Sequence, residues 1–169
     1  MIRKTEKRRG RRSRVSRAAL VLAFVSLFFA WPSMGAAGEE IVLRIYDWKS
    51  GAIYAEVPAR VGSRLFFGWI HSLEKIPWNE YFHVDAKHDL ILDAITFPAF
   101  GAGIPENKGR ICYIKDGLIH MEDIGQVFKE LHWLNSQTAT RDIALDGALV
   151  TRGAELPQHA RLRLVIEEK

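Results

Sequence analysis

Asp116-Gly117 sits between Ile111-Cys112-Tyr113-Ile114-Lys115 and Leu118-Ile119-His120-Met121-Glu122. A two-residue Asp-Gly loop between β-branched and aromatic runs specifies a type I′ hairpin, because both central residues need positive φ. The turn fixes the register. Ile114 faces Ile119 and Cys112 faces Met121 on one side; Lys115 with Leu118, Tyr113 with His120 and Ile111 with Glu122 share the other. The first side is wholly apolar and is expected in the core, with Cys112 a buried small hydrophobe in place of a reactive thiol. Asp146-Gly147 repeats the signal between Ile143-Ala144-Leu145 and Ala148-Leu149-Val150.

Similar short runs fill the rest of the chain. Ile41 to Tyr46 is β-branched and aromatic, Lys49-Ser50-Gly51 turns it, and Ala52 to Val57 returns to Pro58. Arg64 to Ser72 is apolar on both faces, as in a central strand covered on two sides. Asn79 to Asp85 and Leu90 to Phe97 follow around Lys87-His88-Asp89, and Arg161 to Ile166 alternates cleanly as a half-buried terminal strand. This spacing of strands and turns predicts an all-β antiparallel sandwich or partly open barrel. One helix is a candidate, over Ile124 to Trp133, where Ile124, Val127, Phe128, Leu131 and Leu134 recur at helical spacing; a strand around Lys129 to Leu134 competes with it.

The chain has 169 residues, enough for one ordinary domain. Its formal charge of +4 misleads about partners. Of the 24 Lys and Arg, nine fall in residues 1–17 beside a single acid, Glu6; the remaining 15 basic and 19 acidic side chains leave the body at −4. An acidic body lacks the electrostatic footprint of a nucleic-acid binder. After the basic run, the 14 residues from Ala18 to Trp31 carry no charge, and Pro32 to Ala37 supplies a breaker and small residues. That order describes a secretory signal peptide over residues 1–37, cleaved near Ala37, with an uncleaved N-terminal anchor helix as the alternative. Either way the positive-inside rule sends the body, residues 38–169, across the membrane. Cys112 is the single cysteine, so no intramolecular disulfide forms there.

The densest stretch of chemistry-bearing residues is His71-Ser72-Leu73-Glu74, followed by Pro77-Trp78 and Glu80-Tyr81. A second element, Gly101-Ala102-Gly103-Ile104-Pro105, comes after Phe97-Pro98. Together they resemble the bacterial family of domain of unknown function 1850, whose members share a His-Ser-Val-Glu-like tetrad and a Gly-Ala-Gly-Φ-Pro loop; Leu73 stands where Val is usual. The resemblance spans roughly Ile41 to Glu167. It implies a small exported domain, often associated with tripartite (TRAP) transporters, with no assigned activity.

The residues themselves admit several chemistries. If His71 and Ser72 continue a strand, their side chains diverge, which spoils a nucleophile and base pair. No G-x-S-x-G elbow occurs. His71, Glu74, Glu80, His83 and His88 are ligand types, but no H-x-x-x-H or H-E-x-x-H spacing joins them, and no metal site is expected. Gly101-Ala102-Gly103 allows close backbone approach to a ligand, or simply a tight turn; no Lys-Ser/Thr follows it, and no cofactor is called for. Trp69 and Phe82 read as core, and Trp78, after Pro77, as a surface anchor.

Three functions remain open. An exported noncatalytic module would use His71, Ser72, Glu74, Trp78, Glu80, Gly101, Ala102, Gly103 and Pro105 as one binding or architectural constellation. Its partner would be a membrane-transport or envelope protein, or a small-molecule ligand. A hydrolase-like enzyme would use His71 with Glu74 or Glu80 as acid and base. A structural envelope domain would do neither. An enzyme predicts convergence of those three residues on one cleft with room for substrate, whereas a binding module predicts an exposed aromatic patch beside the glycine loop, without a buried acid/base pair.

Overall fold

Residues 40–101 and 107–169 are described by the computed structural model, and eleven strands form among them. They are β1 (Ile41–Asp47), β2 (Ile53–Ala59), β3 (Arg64–Ile70), β4 (Pro77–Val84), β5 (Leu90–Phe97), β6 (Ile111–Lys115), β7 (Leu118–Phe128), β8 (Glu130–Leu134), β9 (Thr140–Leu145), β10 (Ala148–Arg152) and β11 (Arg161–Glu168). Among the described residues one 3₁₀ turn forms, over Gly153–Glu155. The strands make two antiparallel sheets and no closed barrel: β2-β1-β11-β8, and β10-β9-β3-β4-β5-β7-β6. The leader expected over residues 1–37, and the loop residues Ala102, Gly103 and Pro105, lie outside the described residues.

Side-chain alternation builds the core between the sheets. Leu43 and Ile45 of β1 and Leu162 and Leu164 of β11 point inward from the smaller sheet. Leu65 and Phe67 of β3, Phe82 of β4, Ile95 and Phe97 of β5 and Met121 of β7 meet them from the larger. Arg44 and Arg163 alternate outward. Arg44 pairs with Glu56 at 2.8 Å and with Glu167, and Arg163 pairs with Glu130 at 2.6 Å.

Both Asp-Gly turns form as the sequence predicts. Asp116 and Gly117 have φ of 53° and 75°, and Asp146 and Gly147 have 50° and 82°. The β6–β7 register pairs Cys112 with Met121 and Ile114 with Ile119. The core expectation for that face is half right. Ile119 and Met121 are buried, but Cys112 is exposed and Ile114 is 74% exposed. The reason is position: β6 is the terminal strand of the larger sheet, and every residue in it is exposed.

Two further expectations change. The helix over Ile124 to Trp133 is replaced by the end of β7 and by β8. Asp123 and Gly125 adopt φ of 57° and 69°, a left-handed conformation that a right-handed helix excludes. They form an irregularity in β7, where pairing with β5 jumps from Leu92–Gln126 to Ala94–Glu122. One residue, Lys129, then separates β7 of the larger sheet from β8 of the smaller. β3 is central, between β9 and β4, but only its inner face is fully covered; Phe66 on the other face is half-buried and packs against Tyr81 at 5.4 Å.

Candidate functional site

The tetrad lies in the connection between β3 and β4, since β3 ends at Ile70. The His71 N–H donates to the Ile76 carbonyl at 2.8 Å, and the Lys75 N–H donates to the His71 carbonyl at 2.9 Å, closing a short loop. Lys75 turns it with φ of 57°, and its ammonium donates to the Ser72 carbonyl. The Glu74 backbone N–H donates to His71 Nδ1 at 3.3 Å. That bond fixes Nδ1 as an acceptor and occupies the nitrogen nearest its own loop. Ser72 is exposed in the turn.

Glu74 reaches across to the glycine loop. A Cβ built on Gly101 would stand 2.6 Å from Glu74 Oε2 and closer still to the carboxylate carbon. The two sequence motifs therefore meet at Glu74 and Gly101, where the absence of a side chain permits the approach. Phe100, immediately before Gly101, is 54% exposed and sits edge-on to Phe97 at 5.7 Å. It is the exposed aromatic beside the glycine loop.

Trp78 is not a surface anchor. It is 5% exposed, because it occupies the inner face of β4. Its ring stacks on Phe97 at 4.8 Å with an interplanar angle of 5°, and contacts Trp69 and His71, both at 5.6 Å. Pro77, which marks a connection in the sequence, is instead the first residue of β4, where proline is tolerated.

Two residues further along the same face is Glu80, a carboxylate aimed between the sheets. The Trp78 indole N–H donates to its Oε1 at 3.2 Å. Burial raises the Glu80 carboxyl above the usual glutamate range; the Trp78 and Trp69 indoles and the charge of Lys108 oppose the rise without cancelling it. Among the described residues no Lys or Arg forms an ion pair with it, and no hydrogen bond joins it to His71.

Glu80 lines a cavity of about 420 Å³. Phe67 and Trp69 of β3, Phe128 of β7, and Leu131 and Trp133 of β8 form its apolar walls. Glu130 and His132 stand at the same cavity, and Ala139 and Thr140 close it from the start of β9. Glu130 is held below the usual glutamate range, first by the hydrogen bond with His132 and then by Arg163 at 2.7 Å. Between the lining residues Leu134 and Ser136, fully buried Asn135 donates through Nδ2 to the carbonyls of Gly153, Leu156 and Pro157 at 3.0, 3.2 and 3.1 Å. The sequence reading missed this pocket. Part of its wall, Phe128, Leu131 and Trp133, comes from the segment expected to be a helix, and only Glu80 on an otherwise apolar alternating face signalled it. Among the described residues no group of three or more His, Cys, Asp or Glu is placed to hold a metal ion.

One family model, that of the domain of unknown function DUF1850, matches residues 66–151. The match runs from β3 to β10 and includes the tetrad, Glu80, the glycine loop and β8; β1, β2 and β11 lie outside it. No curated protein and no solved structure matches.

Proposed function

Because this chain belongs to the DUF1850 family, a domain with no assigned chemistry to borrow, we propose from its own geometry that it is an exported, noncatalytic binding module. The observation that carries the proposal is the inter-sheet pocket with Glu80 on its wall. Its volume falls within the ~300–1,000 Å³ of small-molecule sites, and it combines apolar walls with few polar groups. The tetrad is architectural. His71 Nδ1 is engaged by the Glu74 N–H, and Glu74 packs on Gly101. Phe100 beside that loop supplies an exposed contact for a protein partner. The basic, apolar and small-residue order of residues 1–37 supports export. The resemblance of the tetrad and loop to exported, transporter-associated domains supports work beside a TRAP-type transporter in the bacterial envelope.

Two measurements test this. Ala139→Phe fills the pocket from its rim. A thermal-shift screen with amines, organic acids, sugars and nucleosides is expected to stabilise the wild type with at least one class and the filled variant with none. Equal shifts in both proteins, or none in either, overturn the binding role. Fractionation of cells producing the full chain is expected to recover an extracytoplasmic protein whose intact mass lacks residues 1–37. A cytoplasmic protein with the leader attached contradicts export.

A further inference from the structure

We infer that the pocket between the two sheets takes a small organic ammonium ion. The inference rests on the reading of the domain as a binding module and names the ligand class of that same site. The lining residues include the acids Glu80 and Glu130 and no Lys or Arg; Glu80 lies on the inner face of β4, whereas Glu130 shares the outward face of β8 with His132, opposite Arg163. The two acids are not equivalent. Glu130 is already neutralised by Arg163 at 2.6 Å and bonded to His132. Glu80 receives an indole N–H from Trp78 and feels the charge of Lys108, but among the described residues no Lys or Arg forms an ion pair with it.

Three classes of ligand then separate by charge. An anion entering this pocket meets the Glu80 carboxylate and no Lys or Arg among the lining residues. A neutral apolar molecule removes water from Glu80 and gives nothing in return. A cation gains attraction to Glu80 that strengthens as water leaves. It also meets Phe67, Trp69, Phe128 and Trp133, and aromatic faces attract ammonium groups through the ring quadrupole. The place of Glu80 points the same way. It alternates with Trp78 and Phe82 on the inner face of β4, both buried, where an apolar side chain would pack without desolvating a carboxylate. Burial also raises its carboxyl, an effect a bound cation reverses.

Choline tests the idea against two compounds of the same shape: the uncharged 3,3-dimethyl-1-butanol and the anionic 3,3-dimethylbutyrate. Each is titrated into the full chain by calorimetry and by tryptophan fluorescence. Choline is expected to bind about tenfold or more tightly than the alcohol, and the carboxylate not to saturate. Glu80→Gln keeps an oxygen for the indole bond and is expected to erase the preference while the protein remains folded by its melting curve. Equal affinity for choline and the alcohol, preference for the carboxylate, or a preference that survives Glu80→Gln overturns the cation assignment and leaves the pocket a binding site. If none of the three saturates, the cation assignment also falls, and the wider screen on the wild type and Ala139→Phe decides separately whether the pocket binds at all.

Discussion

At Glu80, folding takes a carboxylate out of water and supplies indole N–H donors but, among the described residues, no ion-paired counter-ion. The folded carboxyl titrates above its unfolded counterpart, so folding disfavours the charged form. The destabilisation is absent below the unfolded value, grows as pH rises between the two, and is complete above the folded one. Glu80→Gln is therefore expected to raise the melting temperature at about pH 8 and to leave it nearly unchanged at about pH 4, with Glu130, His132 and Lys108 common to both proteins. An equal shift at both pH values contradicts the desolvation account. Trp78 tests the same face from the packing side. Its stacking on Phe97 and its near-complete burial predict that Trp78→Ala costs about 3–5 kcal/mol in urea unfolding. A loss under about 1 kcal/mol would return Trp78 to the surface role that its position after Pro77 first implied.

Among the elements, the connection from β8 to β9 depends on one side chain. Asn135 Nδ2 serves three carbonyls around the 3₁₀ turn, two of them in the residues just after it. Asn135→Ala leaves those acceptors without their donor and is expected to cost about 2–3 kcal/mol, read from denaturant midpoints. A change within about 0.5 kcal/mol shows that water replaces the amide. The hairpins were legible because Asp-Gly is a local instruction: its positive φ values select the turn, and the turn sets the register of β6 on β7. Ile124 to Trp133 was misread because its apolar spacing suits a helix while Asp123 and Gly125 impose left-handed backbone on either side of Ile124. Cys112 was misread for another reason. Register is local, but whether a strand ends a sheet depends on how all the strands are ordered.

For the molecule as a whole, the spacing of short strand-like runs and turn residues, with clean alternation along β11, was enough to indicate an antiparallel sandwich or partly open barrel, and the strands form two sheets with no closed barrel. The candidate site was legible in part. His71, Glu74 and Gly101 belong to motifs that stand out in the sequence, and the fold brings Glu74 against Gly101. The pocket was not legible, since it exists only where β7 crosses to the smaller sheet as β8 and faces Glu80 from the other side. If the cavity beside Glu80 is a ligand site, a ligand should travel with the folded protein. Native mass spectrometry of the protein purified gently from the cells that produce it reads this out. The wild type is expected to carry a small molecule that dissociates on activation, and Ala139→Phe, purified alongside, is expected to carry none. A wild type that is bare, or a filled variant that retains the same mass, contradicts it.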